Sequence, residues 1–238
     1  MVQPPRVIAI AARKGGVGKT AMSVGLAHRL VARGRRVALI DLDPQSNVAA
    51  MLSGDPVAPG TVELLARHAV EPQVLHGIQV YAGGPSLDDP GLVMRLDPND
   101  LAIALAKLPV DVVICDCPPG HQHLERLALR AGQISLVPFE PHPVAVIGVQ
   151  RVLETIADDR ELGRPAPSRV AVVISRFDPR QRRLHGNADK MLDFWSGPVL
   201  TMRWDSTFAQ ALAIGEPPPG GRAVDDLEHM IAWMEAAP

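Results

Sequence analysis

Lys14, Gly15, Gly16, Val17, Gly18, Lys19 and Thr20 stand between a short apolar run and an amphipathic one. Three glycines at this spacing let backbone N–H groups turn inward around phosphate oxygens, and the start of the following helix adds its partial positive charge. Lys19 is placed to neutralise the outer phosphates of a nucleoside triphosphate, and the Thr20 hydroxyl to hold Mg²⁺. The expected phosphate site therefore comprises Gly15, Gly16, Val17, Gly18, Lys19, Thr20 and the backbone of Ala21. Three carboxylates belong with it. Asp116 closes the apolar run from Val110, while Asp41 and Asp43 close the run Val37-Ala38-Leu39-Ile40. Ligands of open α/β sheets collect at the carboxyl ends of strands, so Asp116 is suited to hold a water on the metal.

Such residues converge only if a parallel sheet presents several strand ends together. Apolar runs at Arg6 to Ala12, Arg36 to Asp41, Ile78 to Ala82, Val110 to Cys117, Gln133 to Pro138, Arg169 to Ser175 and Pro198 to Met202 read as strands. The central ones are apolar on both faces, as buried parallel strands are. Helices are expected at Lys19 to Ala32, Thr61 to His68, Asn99 to Leu108, Gln122 to Ala131, Pro143 to Asp158, Gln181 to Phe194, Thr207 to Ile214 and Val224 to Glu235. This alternation predicts an α/β fold, a mostly parallel twisted sheet flanked by helices. Prolines gather at element ends, and no long linker or fixed-period repeat divides the chain, so residues 1–238 are read as one domain. A content of 47% hydrophobic and 21% charged residues excludes a disordered chain. No apolar run reaches membrane-span length and no leader pattern is visible, which predicts a cytoplasmic protein. Cys115 and Cys117 are too close along a strand to bridge comfortably and read as buried thiols.

The loop Arg13-Lys14-Gly15-Gly16-Val17-Gly18-Lys19-Thr20, taken with Asp41-Leu42-Asp43-Pro44-Gln45 and Asp116-Cys117-Pro118-Pro119, resembles the ParA/MinD family of deviant Walker ATPases, and within it the Soj-like ParA partition branch. The resemblance implies ATP and Mg²⁺ as cofactors and slow, partner-stimulated ATP hydrolysis. It further implies a homodimer that forms when ATP is bound, with Lys14 reaching the partner subunit's nucleotide. Asp43 takes the place of a water-orienting carboxylate and Asp41 that of a metal-side partner, which makes Lys14, Asp43 and Lys19 the expected catalytic set and Thr20, Asp41 and Asp116 the metal set. Ser175 and Arg176, at the end of the strand from Arg169, and Met202, at the start of the loop Met202-Arg203-Trp204-Asp205, belong to the expected base side of the site. Two positions depart from the family. Ala21 replaces a hydroxyl that touches the α phosphate, and Ser175 stands where an asparagine often reads adenine.

Arg169, Arg176, Arg180, Arg182 and Arg183 face one acid, Asp178, in a chain of net charge −2. Such a row can neutralise DNA phosphates without reading sequence. The family resemblance adds a ParB-like activator and a nucleoid-associated location. Other classes are weaker fits. A MinD-like role at a membrane surface needs a basic amphipathic C-terminal helix, whereas the polar face here carries Asp225, Asp226, Glu228 and Glu235, and packing onto the body is expected. A shared iron–sulfur cluster needs separated cysteines, which are absent from the sequence. A small-molecule kinase or synthetase on the same loop has no evident need for Lys14.

Overall fold

A computed structural model describes residues 3–177 and 188–236. The predicted strands form β1 (Arg6–Ile10), β2 (Val37–Asp41), β4 (Ile78–Tyr81), β5 (Val112–Asp116), β6 (Ile134–Phe139), β7 (Arg169–Phe177) and β8 (Val199–Arg203). A short β3 (Gln73–Leu75) was not anticipated. They make one eight-stranded sheet in the order β3-β4-β2-β5-β1-β6-β7-β8. Every pair is parallel except β3 with β4. The helices are α1 (Lys19–Ala32), α2 (Asn47–Met51), α3 (Thr61–Leu65), α4 (Pro90–Val93), α5 (Asp100–Leu105), α6 (Gln122–Ala131), α7 (Pro143–Glu161), α8 (Ala188–Met191), α9 (Ser206–Ala213) and α10 (Arg222–Glu235).

The two-residue side-chain period of the strands sorts their apolar residues into two layers. Val7, Ala9, Ile40, Val113, Val137 and Phe139 face α5, α6 and α7, whereas Ile8, Ile10, Leu39, Ile114, Leu136 and Val173 face α1, α9 and α10. Both faces are covered, which is why these strands are apolar throughout. The chain passes from β1 through α1 to β2 on one side, and later from β5 through α6 to β6 on the other, so the sheet order reverses at β1. That reversal opens a crevice at the carboxyl end of β1.

The C-terminal helix α10 buries Leu227, Met230, Ile231 and Met234. Its acids meet arginines in α1 and in the turn after it: Glu228 pairs with Arg29 and Arg33, and Glu235 with Arg33 and Arg35. A Cβ on Gly25 would lie 2.7 Å from Leu227 Cδ1 and 2.8 Å from Phe208 Cζ, so glycine is what allows α1, α9 and α10 to close. Among the described residues no helix is long and apolar enough to cross a membrane.

On the other side of α1, His28 is buried edge-on to His76, with ring centroids 5.6 Å apart and its Nε2 unpartnered. Burial, reinforced by the neighbouring His76, pulls its pKa down to about 4. The unfolded chain therefore takes up this proton near pH 6.5 and the folded chain only near pH 4, so stability falls as pH drops through that window. A shift of this size corresponds to at most about 3 kcal/mol, less whatever solvent screens at the ring edge. His28→Gln is expected to flatten the acid limb of a melting-temperature profile between pH 6.5 and 4. An unchanged slope would assign the acid sensitivity to other groups.

Candidate functional site

The loop leaving β1 turns through left-handed backbone at Gly16 (φ 75°) and Gly18 (φ 88°) and then enters α1. Gly18 is the N-cap and contributes no side chain, and the first turn of α1 carries no acid, so the N–H groups at this end face outward with their positive field intact. The Lys19 ammonium donates to the Lys14 carbonyl at 3.3 Å, across the ring of backbone formed by the loop.

One helical residue further, the Thr20 hydroxyl donates to Asp116 Oδ2 at 2.6 Å. Ser23 Oγ lies 3.0 Å from Asp116 Oδ1 and 3.1 Å from the Lys19 carbonyl, and shares its proton between them. Ser23 was missed from sequence; its signal is the three-residue spacing from Thr20, which puts both hydroxyls on one helix face. Burial pushes the Asp116 pKa up to about 6, against the opposing pull of the Thr20 and Ser23 hydrogen bonds and the Lys19 charge. The all-oxygen set of Thr20 and Asp116, at the foot of a phosphate loop, suits a hard cation such as Mg²⁺.

Asp41 pairs in register with Asp116 across β2 and β5. Its position at the strand end agrees with expectation, and its carboxylate also has a structural task. Oδ1 accepts from the Asp43 N–H at 2.8 Å and Oδ2 from the Val48 N–H at 3.0 Å, so this fully buried carboxylate shapes the turn after β2. Burial, then the charge of Asp116, holds its pKa well above the usual carboxylate range. The turn that Asp41 organises carries Asp43, whose Oδ1 accepts from the Gln45 N–H. Across from it, a Cβ on Gly83 would sit 2.1 Å from the Asp43 carbonyl, so the segment after β4 presses directly on this turn.

Arg13, ahead of the glycines, runs inward. Its Nε and Nη2 donate to Glu125 Oε1 on α6 at 3.2 and 3.0 Å, and Nη2 also donates to Thr155 Oγ1 on α7 at 2.9 Å. Glu125 is 1% exposed. The phosphate loop is thus tied to the two helices that follow β5 and β6. Neither Glu125 nor Thr155 was singled out from sequence.

On the opposite flank, Gly16, Gly18 and Ala21 share a cavity of about 320 Å³ with Ser175, Arg176, Met202, Trp204 and Phe208. This joins the expected base-side residues to the phosphate loop. Arg176, at a left-handed bulge in β7 (φ 54°), donates to the Gly16 carbonyl at 3.3 Å and lies 5.3 Å over the Trp204 ring.

The arginine row does not stay together. Arg169 begins β7 and Arg176 lies seven residues on, about 23 Å away along a strand. The Arg169 guanidinium stacks 4.6 Å from the Trp233 ring and donates to the carbonyls of Trp233, Met234 and Ala236. It secures the end of α10. Arg180, Arg182 and Arg183 lie outside the described residues. Cys115 and Cys117 are buried free thiols whose pKa values are pushed up by burial, as expected of packing residues. His123 Nε2 sits 2.9 Å from the Leu96 carbonyl, and among the described residues no three metal-ligating side chains cluster.

Comparison with known proteins gives a consistent family. The family model described as the CobQ/CobB/MinD/ParA nucleotide binding domain matches residues 8–218. The chromosome-partitioning ATPase Soj of Thermus thermophilus is 33% identical over 177 residues, 74% of this chain and 71% of that one. A Mycobacterium smegmatis protein described as cobyrinic acid a,c-diamide synthase, solved with an ATP analogue and magnesium, superposes with a TM-score of 0.81 at 27% identity, covering 98% and 96% of the two chains. An ATP complex of a Cyanothece McdA variant has the same fold, with a TM-score of 0.82 at 20% identity over 100% and 99% of the chains.

Proposed function

This chain belongs to the CobQ/CobB/MinD/ParA nucleotide-binding family, in its ParA branch, and we propose that it is an ATP-dependent dimerising switch ATPase that binds DNA without sequence preference and positions a DNA or protein cargo with a ParB-like partner. The observation that carries the nucleotide part is the Thr20–Asp116 hydrogen bond at the mouth of a helix whose N-terminal N–H groups are uncapped. ATP and Mg²⁺ suit that arrangement, and they are the ligands named for relatives of the same fold. When bound, Mg²⁺ neutralises charge developing on the phosphates.

The chain's own residues divide the remaining work. Backbone N–H groups of Gly15 to Ala21 cradle phosphate oxygens, and Lys19 leaves its hold on the Lys14 carbonyl to meet the outer phosphates. Thr20 and Asp116 would hold the metal. Asp43 orients the attacking water from the turn that Asp41 and Gly83 fix. Lys14 stabilises transition-state charge on the partner subunit's nucleotide, as an arginine supplied in trans does. With Arg169 fixed to α10 and Arg176 at the cavity, the DNA-contacting role falls to Arg180, Arg182 and Arg183. A slow turnover follows from a switch that must dwell in its ATP state, and the working location is the nucleoid.

DNA retention tests the reading in the hydrolysis-blocked Asp43→Ala chain. With Mg·ATP, binding is expected to ignore DNA sequence and to fall by about tenfold or more between 50 and 200 mM salt, and with Mg·ADP to be absent. Binding in neither state, with ATP still bound, would contradict the DNA part. Transfer of phosphate to a small acceptor, in place of release as free phosphate, would favour the synthetase-like reading.

A further inference from the structure

We infer that the base pocket admits 6-oxo purines alongside adenine, so that the switch can be loaded with guanine nucleotides; this deepens the nucleotide-binding reading above and rests on it. Ser175 carries the inference. Its hydroxyl is 1% exposed and has no hydrogen-bond partner, although it lines the 320 Å³ cavity that opens from the phosphate loop. A buried hydroxyl without a partner is costly, and a ligand group reaching it supplies the missing bond.

The other polar side chains of the cavity define what such a ligand meets. Asp205 is occupied at the start of α9, accepting from the N–H groups of Thr207, Phe208 and Ala223. Arg203 is held by bonds to both carboxylate oxygens of Asp226 and by one to the Arg222 carbonyl. This leaves, among the described residues, the Ser175 hydroxyl, the Trp204 indole N–H and the donors of Arg176 not engaged with the Gly16 carbonyl. The remaining wall is mostly apolar and aromatic, including Met202, Trp204 and Phe208. Its volume suits a purine nucleoside, and aromatic and apolar surfaces grip any purine without reading its edge.

Base choice then depends on hydrogen-bond polarity. The Ser175 hydroxyl rotates, accepting from a 6-amino group or donating to a 6-oxo group with equal ease. Arg176 can only donate, and a guanidinium donor suits the O6 and N7 acceptors of guanine at least as well as the single N7 acceptor of adenine. Among the described residues, no free side chain of the cavity presents an acceptor fixed against the adenine amino group. A site built to read such a group discriminates by about 10⁴-fold or more, whereas a rotor does not.

Calorimetric titration of the full chain with Mg·ADP and Mg·GDP tests this. The expected dissociation constants agree within about tenfold. Ser175→Asn is expected to open a preference for ADP greater than about tenfold, because a carboxamide pairs with N6 and N7 of adenine together and mismatches guanine. Since asparagine is larger and can disturb the cavity, Ser175→Ala serves beside it; this variant should weaken both ligands while leaving their ratio within about threefold. Binding of Mg·ADP with Mg·GDP more than tenfold weaker would overturn the inference and leave the proposed function standing. Failure of both to bind would overturn the nucleotide-site reading itself.

Discussion

Lys14→Ala is expected to lower ATP turnover by about 10³-fold or more while leaving Mg·ADP affinity within about threefold. The two effects separate because of what Lys14 contributes to its own loop. Its carbonyl receives the Lys19 ammonium, a backbone contact that alanine preserves. Among the described residues its side chain forms no ion pair, so truncation removes no internal support. An in-trans charge acts only once two ATP-bound subunits meet. The same variant should accordingly remain monomeric with Mg·ATP. Phosphate-release kinetics and nucleotide titration on the same preparation provide the check, and near-normal turnover would remove Lys14 from the catalytic set.

The second large effect is on stability. Arg13→Ala should cost about 3 kcal/mol, because it leaves Glu125 buried without its cation. Burial alone raises the Glu125 pKa, and the Arg13 charge and hydrogen bonds are the leading opposing influences. Removing them favours a protonated, imperfectly bonded acid inside the α6–α7 layer. For a chain of this size the loss corresponds to a fall of roughly 10 °C in melting temperature. Glu125→Gln in the same background should recover much of it, since the neutral amide carries no charge to desolvate. A loss below about 1 kcal/mol, or no recovery in the double variant, would show that the pair is dispensable.

Where a physical signal is local, the sequence carried it. The extents of α1 and α6 agree with expectation because glycine and the loop residues around them stop the helical pattern sharply. The helix expected at Thr61 to His68 ends earlier, since Arg67 adopts left-handed backbone (φ 60°). Strand β3 escaped notice because its hairpin turns on His76-Gly77, both with positive φ, where Asn-Gly or Asp-Gly would have signalled the turn. The α4 helix was legible but unread: Asp89 caps it and Pro90 occupies its first position.

For the site, the phosphate loop and the strand-end acids are contiguous motifs whose spacing states their chemistry. Pairings across the fold are not of that kind. Arg13 meets Glu125 and Thr155 across separations of 112 and 142 residues, which a single sequence does not encode visibly. The structural task of Asp41 was hidden for the same reason, since only its contacts with the N–H groups of Asp43 and Val48 reveal it. The spacing of Arg169 and Arg176 was hidden for a related reason. Nearness in sequence became separation in space once the intervening residues extended as β7.

Sedimentation velocity of the Asp43→Ala chain, run with Mg·ATP and again with Mg·ADP, tests the central claim most directly. A nucleotide-controlled switch should sediment as a dimer with ATP and as a monomer with ADP, and adding Lys14→Ala should abolish the dimer. The same oligomeric state in both nucleotides, with binding of each verified, would contradict it.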